Sequence, residues 1–263
     1  MFHLFALGVT TLFLIGSLLL LIYGRQLGLR YMKKAGSDSM SGVPTIEGAV
    51  FALIGLLLAF TISGALQRFD ERRQLVVQEA NAIQTAYDRL ALFEDEASSL
   101  KSALKDYTKA RIDLYAMPHD FALWQTAELW SSEQQLKIRE LKNKVWDATV
   151  ATCPASNYRP GCPLALIALG NAFEISRLRE GAAEKHPPQI IYIMLFGLGL
   201  GGSLLAGFAL ATTAAHSWIH MVTFAATLAI TLYVVTDMEF PRLGLIRVEN
   251  FDHFLVDLYN QMR

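Results

Sequence analysis

Four long apolar stretches interrupt the chain and predict four transmembrane helices. None of them contains Asp, Glu, Lys or Arg, and they cover residues 4–23, 48–66, 189–215 and 217–236. A helix rises about 1.5 Å per residue, so about 20 residues cross the ~30 Å hydrocarbon core of a bilayer. Because the number of predicted spans is even, both chain ends are expected on the same side of the membrane.

Residues 67–188, between the second and third spans, have the opposite character. They contain 16 of the 23 Lys and Arg residues and 17 of the 24 Asp and Glu residues, which predicts a water-exposed region. Its apolar residues recur in steps of three and four, the spacing of a helix packed against other helices. The first such seam consists of Leu66, Phe69, Arg73, Val76, Ala80, Ile83, Tyr87 and Leu90. Its phase extends backward into the second span, so we expect one helix of about 40 residues or more to join the two regions.

Further helical seams complete the polar region. A second helix is indicated by Leu100, Leu104, Tyr107, Arg111 and Leu114. A third begins at Phe121, has its apolar seam as far as Val145 and stops at Cys153-Pro154. A last helix, from about 163 to 179, places Leu164, Ile167, Asn171, Ile175 and Leu178 on one face. The predicted fold is therefore an all-α membrane protein with four transmembrane helices and a helical extramembrane domain inserted between the second and third. The expected boundaries are 1–66 for the first two spans, 67–188 for the helical domain, 189–236 for the last two spans and 237–263 for a C-terminal polar segment.

Small residues in two spans predict close helix packing. Gly55, Ala59 and Ser63 recur every four residues in the second span, and Gly197 and Gly201 form a Gly-x-x-x-Gly step in the third. Such faces let helix backbones approach closely, either within one subunit or between subunits.

Composition and charge exclude several classes of function. The chain is 53% hydrophobic and 18% charged, whereas about a quarter of the residues of a soluble domain are charged, and its net charge of -1 gives no electrostatic basis for binding nucleic acid. It has no glycine-rich phosphate loop, nucleophile elbow or His-Glu-x-x-His motif, so we predict no enzymatic activity and no cofactor. His216 and His220 lie four residues apart but have no third ligand nearby, so no metal site is predicted.

The two cysteines, Cys153 and Cys162, bracket a Pro- and Gly-containing loop that favours a compact reversal. A disulfide between them would require an oxidising compartment and would place the helical domain outside the cytoplasm, while two free thiols would carry no such implication. Basic residues flank the membrane on both sides. Those in the first connection are Arg25, Arg30, Lys33 and Lys34, and those on the opposite side are Arg68, Arg72, Arg73, Arg177, Arg179, Lys185, Arg242 and Arg247. The sequence therefore leaves the orientation of the domain open.

Residues 56–83 carry a family resemblance. They read LLLAFTISGALQRFDERRQLVVQEANAI, and this segment resembles the bestrophin-like proteins of bacteria, the group known as DUF4239. It is more distantly similar to the end of the second span of true bestrophins, where an apolar helix containing Phe runs into an Arg-aromatic-aromatic-Glu-x-Arg segment. Residues 237–244, DMEFPRLG, are similar to the acidic stretch that follows the last bestrophin span.

The resemblance implies a function and a set of pore residues. Bestrophins are homopentameric anion channels with a narrow apolar neck formed by the second span. Matching Arg68 to the bestrophin Arg places the neck at Phe60 and Leu56, with Ala52 one turn earlier and Arg68 adjacent to the pore. Here Asp70 follows Phe69 where bestrophins have a second aromatic residue, Ala52 is small, and the acidic stretch is thinner than a calcium clasp.

The resemblance therefore predicts a homo-oligomeric, chloride-conducting channel in a bacterial inner membrane. Its expected partners are membrane lipid, further copies of the chain (a pentamer by resemblance) and small inorganic ions, with no nucleic acid. The alternative is a non-conducting scaffold or sensor whose helical domain binds a partner, for which Trp124, Trp130 and Trp146 would supply a surface.

Overall fold

The computed structural model describes residues 2–35, 43–115, 124–154, 160–212, 218–239 and 252–262, and within these ranges it confirms the predicted all-α fold. The eight α-helices of this described part are α1 (Phe2–Ala35), α2 (Val43–Leu90), α3 (Ala97–Tyr115), α4 (Trp124–Thr152), α5 (Gly161–Glu184), α6 (Gln189–Ala209), α7 (Trp218–Glu239) and α8 (His253–Gln261). Short 3-10 segments, Ala91–Glu96 and Leu210–Thr212, precede α3 and follow α6. Four helical stretches are long and apolar enough to cross a membrane, as predicted.

Helix α2 runs unbroken for 48 residues, as the continuous seam predicted. The chain divides into two compact units, and α2 contributes residues to each. We call Met1–Gln67 with His186–Leu245 the membrane unit, and Arg68–Lys185 with Ile246–Arg263 the polar unit. The C-terminal helix α8 therefore belongs to the polar unit, whereas the sequence indicated a separate terminal segment.

In the membrane unit, α1 packs along α6 and α7. The backbones of α1 and α6 approach most closely at Gly24 and Gly207, because a Cβ atom at either position would collide with a carbonyl oxygen of the other helix. The small residues singled out from the sequence do not make this packing. A Cβ atom at Gly55, Gly197 or Gly201 would meet nothing within 4 Å.

In the polar unit, α2, α3, α4, α5 and α8 enclose one hydrophobic core. The predicted face of α3 is buried in full, and so is the α2 seam from Val76 to Leu90. The beginning of that seam is corrected by the structure. Leu66 is exposed and Arg73 is half-buried, while Arg72 is buried in its place. A 3.6-residue period drifts against a strict alternation of three and four, which moves the buried face by one position over this distance.

The predicted face of α5 points outward. Leu164, Ile167 and Leu178 are exposed. The core side of α5 is formed instead by Ala165, Ala168, Leu169, Ala172 and Phe173. Both faces of α5 are therefore apolar, and the outer one is uncovered.

Candidate functional site

The three predicted neck residues lie together on one exposed face of α2. Leu56 is 52% exposed and Phe60 is 67% exposed, and Ala52 is exposed one turn earlier. Steps of four residues align side chains along a helix. The second span is also the least buried of the four candidate spans. Its outer face is therefore available to lipid, to a pore or to another subunit.

Contacts on the opposite side of α2 fix this orientation within the membrane unit. The ring of Phe51 packs edge to face against Phe224 of α7, with centroids 5.8 Å apart. The side chain of Ile54 packs directly on Gly202 of α6. A Cβ atom at position 202 would come within 2.9 Å of the Ile54 side chain. Since these residues face inward, a rotation of α2 that buried Phe60 would lose both contacts.

The exposed face of α2 changes chemistry beyond Phe60. In the same register follow Ser63, Gln67, Asp70, Gln74 and Gln78, all of them exposed. The row passes from apolar side chains to hydroxyl, amide and carboxylate groups, which are readily hydrated. Arg68, predicted to lie next to the pore, is beside this row; its side chain is half-buried and engaged with a neighbouring group.

A buried ion network occupies the centre of the polar unit. The carboxylate of Glu79 accepts hydrogen bonds from Arg111 Nε at 2.7 Å, from Arg179 Nη1 at 2.8 Å and from Ser176 Oγ at 2.8 Å. The side chain of Glu79 is completely buried. Tyr107 donates to Ser176 Oγ at 3.0 Å, so the network joins residues of α2, α3 and α5.

The buried ion network also contacts the residue that precedes the C-terminal helix α8. Arg179 Nη2 donates to Asp252, the residue preceding α8, at 2.6 Å, and the guanidinium of Arg179 lies over the ring of Tyr115. Arg111 also contacts Glu180 and donates to Tyr115 Oη at 2.9 Å. The sequence placed Arg111 on a buried face but gave no sign that Glu79 is its partner or that Asp252 is a partner of Arg179, because these residues are far apart in the chain.

Opposing effects set the pKa values of this network. Burial alone would raise the pKa of Glu79, but the positive charges of Arg111 and Arg179 and the hydrogen bonds they donate hold that pKa below its ordinary value. Burial would lower the pKa of Arg111, yet the Glu79 carboxylate raises it. For Tyr107, burial dominates and raises the pKa to about 12. Glu79 is therefore ionised and Tyr107 neutral near pH 7.

The raised pKa of Tyr107 predicts a loss of stability in alkali. Because the folded-state pKa, about 12, exceeds the unfolded value of about 10, this contribution is complete below about pH 10 and is lost as pH rises through about 12. We expect the Tyr107→Phe variant to lose about 1 kcal/mol near neutral pH, from its hydrogen bond, and to show a flatter decline across this alkaline window. Urea unfolding of the full-length protein in detergent at a series of pH values measures both effects. Parallel declines in the two proteins would contradict the assignment.

Arg72 closes the end of α5. Its Nε donates to the carbonyl of Ala182 at 2.9 Å and its Nη2 to the carbonyl of Lys185 at 2.7 Å. The last carbonyls of a helix lack partners within the helix and carry partial negative charge, so a cationic donor stabilises them. Lys185 in turn contacts Glu71 at 2.9 Å. These contacts fix the start of the polar part of α2 against the end of α5.

Three other sequence-based predictions concern the cysteines, a metal site and the tryptophans. The sulfur atoms of Cys153 and Cys162 are joined in a disulfide, with Cα atoms 5.7 Å apart. Among the described residues, no group of three or more His, Cys, Asp or Glu side chains could hold a metal ion. Trp146 is exposed, while His216 and the side chains of Trp124 and Trp130 lie outside the described residues.

The sequence did not predict that acidic residues near the ends of two apolar helices are buried. Glu47 is only 6% exposed and lies immediately before the stretch that hydropathy predicts as the second span. Its Oε1 atom has no hydrogen-bond partner in the described part of the chain. At the end of α7, Asp237 and Glu239 are buried as well. The spans were predicted as stretches without charged residues. The second predicted stretch therefore begins just after Glu47, and the fourth ends just before Asp237.

Comparison with known proteins agrees with this architecture. A model of the bestrophin-like domain matches residues 12–250. A bacterial bestrophin homologue from Klebsiella pneumoniae is 17% identical, with a TM-score of 0.66 over 95% of this chain and 99% of that chain. A variant of that homologue is 16% identical, with a TM-score of 0.67 over 94% and 99%. A further structure, described as a membrane protein variant, gives 17% identity, a TM-score of 0.67 and coverage of 94% and 99%.

The search of curated proteins gives no significant match. At these identities the solved structures establish the fold alone, whereas the family model spans most of the chain. With its four apolar helices and its inserted helical unit, the protein is an integral membrane protein and a member of the bestrophin-like family.

Proposed function

We propose that the protein is a homo-oligomeric ion channel in which the exposed face of α2 lines the conduction path. The observation that carries this proposal is the outward row of Ala52, Leu56 and Phe60, whose register continues into hydrated side chains on the same helix. Membership of the bestrophin-like family supports a channel-like role. We propose a bacterial inner membrane as its location, and no enzymatic role.

The chemistry of the row suits a gated neck. Repeated around a symmetry axis, each of the three positions would form one ring of apolar side chains. An apolar constriction gates by dewetting, because an ion entering it sheds water where no polar group replaces that water. Phe60 and Leu56 would form the narrowest rings, since Ala52 carries only a methyl group. Ions with weakly held hydration shells would pass more easily.

Anions are the proposed permeant species, as the family resemblance implies. The neck itself is uncharged and does not discriminate by sign. Beyond it, the amide groups of Gln67, Gln74 and Gln78 can donate hydrogen bonds to an anion. The carboxylate of Asp70 is paired with Arg73 at 3.2 Å, which reduces its repulsion of anions.

The outer face of α5 supports assembly with further copies. Leu164, Ile167 and Leu178 are exposed on a helix of the polar unit, where lipid does not cover them. Large apolar side chains left uncovered on a water-exposed unit suit a protein interface. We propose that a neighbouring copy covers it, in a pentamer by family resemblance.

The neck proposal predicts that Phe60→Ala changes ion flux. In purified protein reconstituted into liposomes, widening the Phe60 ring is expected to raise the chloride flux several-fold, since a wider constriction lowers the dehydration barrier. The matched control is Ile230→Ala on α7, because Ile230 is 63% exposed in the same unit but lies off the proposed path. Fluxes of chloride and potassium are compared in the same vesicles.

Flux that is unchanged by Phe60→Ala but present in the parent protein would contradict the neck assignment. Faster potassium than chloride flux would overturn the anion preference while leaving the channel in place. No flux from well-folded oligomers would favour a non-conducting scaffold or sensor, for which the exposed Trp146 offers a partner surface.

The assembly proposal predicts that Ile167→Glu breaks the oligomer. Ile167 is 66% exposed, so the substitution leaves the subunit core intact, whereas a carboxylate within an apolar contact between copies would be desolvated without a partner. Light scattering coupled to size exclusion in detergent is expected to give smaller particles. Ser98→Glu, on the exposed surface of α3, serves as the control and should leave the mass unchanged. An unchanged mass for both variants would exclude this face as the interface.

A further inference from the structure

The two cysteines of the chain meet at the junction of α4 and α5. Cys153 follows the last residue of α4, and Cys162 lies in the first turn of α5. Cys162 belongs to the buried core of the polar unit, and Cys153 packs against that core. The Cα separation of 5.7 Å falls within the range of about 4.4–6.8 Å that a disulfide requires. No other thiol competes for either partner, because the chain contains two cysteines.

We propose that Cys153 and Cys162 form a disulfide in the cell and that the polar unit therefore faces the oxidising, non-cytoplasmic side of the membrane. The bacterial cytoplasm keeps thiols reduced, whereas the envelope outside it oxidises them. This inference does not depend on ion conduction. It applies equally to a channel and to a scaffold.

The reaction is a dithiol–disulfide exchange with an envelope thiol oxidase. The thiolate of one cysteine attacks a sulfur atom of the oxidase disulfide and forms a mixed disulfide. The second cysteine then attacks this intermediate, which forms the Cys153–Cys162 bond and releases the oxidase as a dithiol. The two electrons and two protons lost by the chain are thereby transferred to the oxidase.

The distribution of basic residues gives independent support for this orientation. Short loops rich in Lys and Arg remain in the cytoplasm, whereas connections longer than about 60 residues are translocated largely regardless of charge. The connection between the first two spans is short and carries Arg25, Arg30, Lys33 and Lys34. The connection that contains most of the polar unit covers residues 67–188, well above that limit.

The structure also accounts for several basic residues on the opposite side. Arg72 is bound to the end of α5, Arg179 is buried between Glu79 and Asp252, and Lys185 is paired with Glu71. Each has a role inside the folded polar unit that explains its presence there. The four basic residues at the end of α1 lie in the short connection, to which the charge rule applies.

The disulfide is tested by counting thiols in the full-length protein. Cells expressing it are quenched in acid, and free thiols are coupled to a maleimide carrying a 5-kDa polyethylene glycol chain, which shifts the band once per thiol. We expect no shift without reductant and a double shift after reduction. In a host that lacks the envelope thiol oxidase, the double shift is expected without reductant. A double shift from normal cells without reductant would overturn the proposal.

The orientation is tested separately with single cysteines in the Cys153→Ser, Cys162→Ser background. Ser99→Cys reports on the exposed surface of α3, and Ser37→Cys reports on the connection between the first two spans. With a membrane-impermeant maleimide, we expect Ser99→Cys to react in intact spheroplasts and Ser37→Cys to react only after lysis. The reverse pattern, or labelling of both positions in intact cells, would overturn the proposal. A variant counts only if it extracts from the membrane as folded protein.

Discussion

Replacing Arg111 with alanine is expected to reduce the unfolding free energy of the protein by about 3–5 kcal/mol. Arg111 is fully buried and forms an ion pair with Glu79 at 2.7 Å, so its removal leaves that buried carboxylate with Arg179 as its one cationic partner in the described part of the chain. The loss is large because a buried charge deprived of a partner keeps its desolvation cost. The destabilisation should extend to α8. Arg179 binds both Glu79 and Asp252, the residue preceding α8, so a change at Glu79 also affects that contact.

Helix α3 itself supplies the matched control for this substitution. Lys109 forms an ion pair with Asp113 at the same distance of 2.7 Å, but both side chains are substantially exposed. Lys109→Ala is therefore expected to cost no more than about 0.5 kcal/mol. Urea unfolding of the full-length protein in detergent, followed by circular dichroism, compares the two. Equal effects of Arg111→Ala and Lys109→Ala would show that the buried network does not stabilise the unit.

Replacing Gly207 with alanine is expected to destabilise the membrane unit. The new methyl group would collide with the backbone carbonyl of Leu21, which cannot rotate away as a side chain can. Helices α1 and α6 would have to separate along their contact, and overpacking of this kind costs typically about 1–3 kcal/mol or more. The reciprocal substitution, Gly24→Ala, meets the carbonyl of Leu204 and should give the same result.

Gly201 provides the control on the same helix, because a Cβ atom there would meet nothing within 4 Å. The yield of monodisperse protein after detergent extraction and the thermal midpoint are expected to fall for Gly207→Ala and Gly24→Ala and to remain unchanged for Gly201→Ala. If Gly201→Ala were the damaging variant, the face that contains it would be the critical helix contact. That outcome would restore the packing predicted from the Gly-x-x-x-Gly spacing.

The sequence was sufficient to predict part of the candidate site. Phe60, Leu56 and Ala52 were assigned by resemblance to bestrophins, and four-residue spacing was enough to place them on one face of a helix. Spacing gave no indication of which side of α2 faces its own subunit. Contacts of Phe51 and Ile54 with α6 and α7 decided that the predicted row points outward.

For Glu47 and for the outer face of α5, the sequence pattern did not predict the observed burial or exposure. A carboxylate beside a span is assigned to water by hydropathy, yet Glu47 is buried. A row of Leu and Ile is assigned to the core, yet Leu164 and Ile167 are exposed, and Ala165, Leu169 and Phe173 lie on the core side. Both errors have one cause, because burial depends on which neighbours a helix meets as well as on its own residues.

The sequence by itself determined the number of spans, the helical class and the continuity of α2. These properties are local, since transfer into a bilayer and helix formation depend on stretches of about 20 residues. Only the tertiary structure decided that Gly24 and Gly207 are the close contacts and that Glu79, Arg111, Arg179 and Asp252 form one network. Such pairings join positions far apart in the chain, and a buried charge is tolerated only where the folded backbone brings its partners within hydrogen-bond distance.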